Sequence, residues 1–116
     1  RRAALQLRRR PGDGEPDGVG VTLAAGVARA HFPSRFVAHC HCESCRRAHG
    51  AAFVTWAGFS ADQVSVVEGA EALAVHASSP GTARSFCSAC GTKLFFSSTR
   101  WPGETHVVLA AFALYD

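Results

Sequence analysis

The sequence predicts an all-β domain, on three observations. Runs of β-type residues five to eight long are separated by Gly-, Pro- and Ser-rich turns, no helical period is sustained anywhere, and two cysteine clusters each follow a predicted strand. With 116 residues and 47% apolar content there is room for one domain with a modest core, the size at which a bound metal commonly supplements packing.

The elements follow in order. Residues 1–18 end in Pro11-Gly12-Asp13-Gly14-Glu15-Pro16-Asp17-Gly18, a linker by composition, so the folded body is expected over 19–116. Val27 to Phe32 reads as a strand, Pro33-Ser34 as a turn, and Arg35 to His39 as a strand entering the first cysteine cluster. Ala52 to Phe59 is apolar and β-rich enough for a central strand. Ser60-Ala61-Asp62-Gln63 has the Ser-x-x-Gln form of a capping box and predicts one helical turn. Strands follow at Val64–Glu68 and Ala72–Ala77, then a turn at Ser78-Ser79-Pro80-Gly81. Thr82–Phe86 leads into the second cluster, Leu94–Ser98 leaves it, Trp101–Glu104 turns, and His106–Phe112 closes the chain as a strand. Seven or eight strands with almost no helix make a sandwich or a coiled sheet.

Charge narrows the partners. Five of the twelve basic residues (Arg1, Arg2, Arg8, Arg9, Arg10) lie in the first ten positions, and from Val19 onward seven basic residues face six acidic ones. A nearly neutral body argues against a nucleic-acid face, although the arginine-rich lead can touch an anionic partner. No run approaches the roughly 18 apolar residues of a membrane span, and no signal-peptide run follows the basic lead. A soluble, cytoplasmic protein is expected, and an edge strand of such a domain offers a route to a homodimer.

Five cysteines without a secretory signal favour metal over a disulfide framework. Cys40-His41-Cys42-Glu43-Ser44-Cys45 is a C-x-C-x-x-C, and Cys87-Ser88-Ala89-Cys90-Gly91 a C-x-x-C with a glycine that lets the backbone turn back. Two such turns predict zinc held among Cys40, Cys42, Cys45, Cys87 and Cys90. Zinc takes four ligands, so two divisions stay open. Cys42, Cys45, Cys87 and Cys90 make a closed Cys₄ staple, or Cys40, Cys42 and Cys45 hold an ion with an open fourth position. His39 and His41 are further candidate ligands. A redox thiol pair at Cys87 and Cys90 lacks the βαβ pattern that would support it.

At these motifs the chain resembles a known family. Cys40-His41-Cys42-Glu43-Ser44-Cys45-Arg46-Arg47-Ala48-His49-Gly50-Ala51-Ala52-Phe53 is similar to the first metal motif of the glutathione-dependent formaldehyde-activating family, which includes the centromere protein V domain. Ser78-Ser79-Pro80-Gly81-Thr82-Ala83-Arg84-Ser85-Phe86-Cys87-Ser88-Ala89-Cys90-Gly91-Thr92-Lys93-Leu94-Phe95-Phe96 is similar to its second. The resemblance implies a coiled all-β fold of the Mss4-like type and two zinc ions. One, of catalytic type, would sit on Cys40, Cys42 and Cys45. The other, structural, would sit on Cys87, Cys90 and an upstream Cys-x-Cys pair.

Leu23 and Ala25 stand at that upstream pair, so the structural site lacks two of its four thiolates and a weak or absent second ion is expected. Cys87 and Cys90 then bind metal with outside ligands, stay metal-free, or join the first cluster. The implied activity is carbon–sulfur lyase chemistry run in reverse, joining a small aldehyde to a thiol such as glutathione. Arg46 and Arg47 are the candidate anchors for a substrate carboxylate, and His41 and His49 candidate proton carriers. The competing expectation is a non-catalytic, zinc-stabilised binding or scaffold module.

Overall fold

The computed structural model of the chain describes residues 18–23 and 26–112. The predicted tail short of Gly18, and Ala25 of the upstream pair, lie outside the described residues. Nine strands and one α-helix occupy the described residues: β1 (Gly18–Leu23), β2 (Gly26–His31), β3 (Phe36–Cys40), α1 (Glu43–His49), β4 (Val54–Ser60), β5 (Val64–Glu68), β6 (Leu73–Ser79), β7 (Thr82–Cys87), β8 (Lys93–Ser98) and β9 (Glu104–Val108). They form two antiparallel sheets, ordered β1-β2-β5 and β3-β4-β9-β8-β7-β6. The all-β expectation is met.

Three details differ from the sequence reading. A strand, β1, starts at Gly18 and pairs with β2. The final strand stops at Val108, and Leu109–Ala111 makes a 3₁₀ turn. Most consequentially, the first cysteine cluster runs into a helix where only a turn was expected.

The capping box at Ser60 forms as predicted, with the Ser60 amide donating to Gln63 Oε1 at 2.8 Å. Gln63 Nε2 also donates to the His31 and Pro33 carbonyls at 2.8 and 2.9 Å, tying the start of β5 to the end of β2.

β4 is an interior strand of the large sheet, between β3 and β9, as its apolar run required. Successive side chains of a strand point to opposite faces. Phe59, fully buried, packs edge-on against Phe32 at 5.3 Å and near Phe112 at 6.3 Å, while Ala57 joins the same core. Trp56 and Gly58 belong to the other face. Leu94, Val107 and Cys87 are, with Phe59, the largest of the fully buried side chains.

Register across the large sheet creates a single crosswise row. Phe36 of β3 lies opposite Gly58 of β4, Gly58 opposite His106 of β9, His106 opposite Phe96 of β8, and Phe96 opposite Arg84 of β7. At roughly 4.8 Å per strand the row runs about 19 Å across the sheet. No helix among the described residues is long and apolar enough to cross a membrane.

Candidate metal centre

Cys40 ends β3, Cys42 is the N-cap of α1, and Cys45 lies in its first turn. A cap and the third residue after it share one side of a helix. The strand-to-helix turn therefore gathers all three sulfurs, which lie within 4.8 Å of one another. Sulfurs bound to one tetrahedral zinc at about 2.3 Å are roughly 3.8 Å apart, so closing the cluster on an ion takes no more than about 1 Å of movement. The donor set of three thiols suits zinc, and Cys40, Cys42 and Cys45 can hold a metal ion.

The helix is short, and its ends explain why it forms. The Cys45 amide donates to Cys42 Sγ at 3.3 Å, Glu43 opens the first turn, and Arg46, Arg47 and His49 close the last. Gly50 terminates it in the left-handed region at φ 59°, a conformation a side chain would oppose. Glu43 and Arg47 pair at 3.0 Å across one turn, both exposed.

The environment divides the thiols. Desolvation pushes the Cys40 thiol up to about 11, whereas the Cys45 amide pulls the Cys42 thiol below its ordinary value. Cys45 is buried and receives the Arg84 guanidinium, whose two terminal nitrogens each stand 3.7 Å from its sulfur. Metal requires thiolates, so uptake at neutral pH must release at least the Cys40 proton. Affinity for zinc is therefore expected to rise with pH by about one log unit per pH unit or more between pH 6.5 and 8.5. Chelator competition at three pH values measures the slope, and a flat response would contradict the protonated state of Cys40.

Above the cluster lies a cavity of about 570 Å³, within the range of small-molecule sites. Its wall includes Cys40, Cys42 and Cys45 together with Phe36, Phe96, His106 and Arg84 of the crosswise row, and Trp56, Arg100 and Trp101. Arg84 is fixed three ways: over the Phe96 ring at 5.0 Å, onto Ser78 Oγ at 3.2 Å, and against Cys45. Arg100 lies over Trp101 at 5.2 Å.

His106 is buried and its Nε2 stands 2.9 Å from Glu104 Oε1, while Glu104 Oε2 accepts from Arg35 at 3.0 Å. The His106 contact, with Arg35 assisting, holds the Glu104 carboxyl below its usual range. An ionised carboxylate accepts only, so the shared proton is on His106 Nε2, and Nδ1 is the nitrogen left to exchange one.

Other sequence candidates fall elsewhere. Arg46 and Arg47 border a separate surface hollow with Glu43, Gly50 and Ala51. His39 lines the cavity and hydrogen-bonds Thr55 Oγ1 at 2.8 Å, while His41 stacks near Phe53. His49 packs edge-on to Trp56 at 5.4 Å, and burial lowers its pKa, with Arg84 and Lys93 assisting.

Cys87 is buried and Cys90 exposed on a tight turn, with Gly91 at φ 80° and the Cys87 amide bonded to the Thr92 carbonyl at 2.9 Å. Neither joins the three-sulfur group among the described residues. Sequence reasoning assigned no role to Arg84, Arg100, Trp101 or His106. Only His106, a polar residue opening the apolar run to Phe112, carried any signal.

Comparison with known proteins agrees with this architecture. A Rhodobacter sphaeroides protein of known crystal structure, a structural-genomics target, superposes with a TM-score of 0.70 over 84% of this chain and 90% of its own. At 22% identity that likeness concerns the fold. No curated protein matches the chain. The glutathione-dependent formaldehyde-activating enzyme family matches residues 25–115, a span that contains every strand from β2 to β9 and both cysteine turns. On that match the chain belongs to the glutathione-dependent formaldehyde-activating enzyme family.

Proposed function

We propose that this chain joins a glutathione-like thiol to an aldehyde carbon, and reverses that step, at the three-cysteine site. The observation that carries the reading is the position of Cys40, Cys42 and Cys45 in the wall of an open cavity, with an arginine on one sulfur. A zinc ion on these thiols would keep a fourth, incoming thiol deprotonated at neutral pH.

The chain's own residues do the rest. Arg84 offsets the negative charge gathered at Cys45 and its position is set by Phe96 and Ser78. Arg100 carries a second positive charge in the wall, and a peptide carboxylate is its natural counter-ion. As the sulfur–carbon bond forms, the carbonyl electron pair moves to oxygen, which must gain a proton. His106 takes a proton from solvent at Nδ1 and passes it to that oxygen, while Glu104 keeps the ring oriented through Nε2. The thiol's own proton leaves to solvent, so the addition is redox-neutral. Holding thiol and aldehyde together in one walled site provides most of the advantage over the spontaneous reaction.

The test is the rate of exchange between formaldehyde and its glutathione adduct, read by exchange NMR on zinc-loaded protein. Acceleration over the spontaneous rate is expected, falling about 10- to 100-fold in Arg84→Met. No acceleration at full zinc occupancy would leave the binding or scaffold module as the better account.

A further inference from the structure

We infer that the aldehyde this site takes is larger and more apolar than formaldehyde, with an aryl or branched alkyl group that lies on an aromatic wall beside the cysteines. The inference rests on the thiol-addition reading above and names its electrophile class.

The wall is built around His106. Phe36 meets its ring edge-on at 5.0 Å, Phe96 stacks on it at 5.6 Å, and Trp101 lies at 5.7 Å. All four line the same cavity as Cys40, Cys42 and Cys45. Phe36 and Trp101 stay 37% and 42% exposed, so a large apolar surface is wet beside the reacting groups.

That surface is arranged rather than left over. Gly58, the register partner of Phe36, is where a β-carbon would overlap the Phe36 ring. The missing side chain at position 58 lets the ring lie down across β4 toward His106. Phe96 and Trp101 are each held by a guanidinium, Arg84 and Arg100. Two cations already on the ring faces make the wall unsuited to a cationic occupant.

Formaldehyde offers one carbon to this wall, too little to cover even one ring. An aryl aldehyde offers a ring that buries against Trp101 and Phe96 while its carbonyl oxygen faces His106. The chemistry is unchanged: the sulfur–carbon bond forms, the carbonyl becomes a hydroxyl, and nothing is oxidised.

Stable thioethers test this without turnover. Zinc-loaded full-length chain is titrated calorimetrically with S-methylglutathione and S-benzylglutathione. The benzyl compound is expected to bind about tenfold tighter or more, since burying a phenyl ring readily supplies that factor. In Trp101→Ala the ratio is expected to fall to about threefold or less. Equal affinities in the wild type overturn the inference and leave the thiol reading standing. A benzyl preference undiminished in Trp101→Ala overturns the assignment of the wall. Failure of both compounds to bind overturns the thiol reading, and the inference with it.

Discussion

Replacing Cys45 by serine is expected to weaken zinc binding by about a hundredfold or more. A four-ligand structural zinc is worth about 10–16 kcal/mol at neutral pH, so one ligand's share is roughly 3 kcal/mol. Cys45 should exceed a simple share, because it is the buried member of the three and the one that Arg84 contacts. Serine keeps the size and removes the soft donor. Chelator competition measures the loss, and circular dichroism checks that the sheets persist. The companion variant Cys90→Ser changes an exposed residue outside the three-sulfur group and should retain the ion. Zinc that survives Cys45→Ser and leaves with Cys90→Ser would move the metal to the second turn and remove the basis for the proposed chemistry.

Phe59→Ala is expected to destabilise the domain by about 3–5 kcal/mol. The ring is fully buried in the middle of β4 and meets Phe32 of the segment after β2 and Phe112 after β9. It thus joins the small sheet's end of the chain to the large sheet. A domain of this length has roughly 6–17 kcal/mol in total, so the loss is a large fraction of it. Urea denaturation should show the midpoint falling with little change in slope. A loss under about 1 kcal/mol would mean that the cavity collapses, or that Phe59 is not where the two parts of the core meet.

Much of this was legible beforehand, for reasons that differ by residue. Ala52–Phe59 announced a central strand because it is apolar on both faces, and Ser60 with Gln63 announced a capped turn because that pair has one good local solution. The cysteine spacing marked Cys40, Cys42, Cys45, Cys87 and Cys90 as metal donors and left their division open, and it was the family resemblance that implied Cys40, Cys42 and Cys45 as one group.

The helix that carries Cys42 and Cys45 was not legible as a helix. Seven residues whose apolar positions are Cys45 and Ala48 alone are too few to show an amphipathic stripe, and what makes the element form is its ends. Glu43 at its start, basic residues in its last turn and Gly50 beyond it are the signals that were present. The cavity wall was hidden for another reason. Arg84, Phe96 and His106 are far apart in the chain and become neighbours only through strand register, which depends on how β7, β8 and β9 pair. Arg46 and Arg47 looked the better anchors because they adjoin the cysteines in sequence, yet the helix directs them to another hollow.

The crosswise row has a consequence for how this site can change over generations. Each of its positions is contributed by a different strand, so one substitution alters one point of the wall and leaves the along-strand neighbours, which point to the opposite face, untouched. Immediate neighbours in the row, such as His106 and Phe96, are in contact, and substitutions there will be strongly non-additive. Phe36 and Arg84, at the two ends, are about 19 Å apart by strand count, beyond the distance at which mutational effects couple directly. Selection can therefore retune Phe36 and Arg84, the two ends of the row, as separate traits, with Gly58 and His106 as the constrained residues between them.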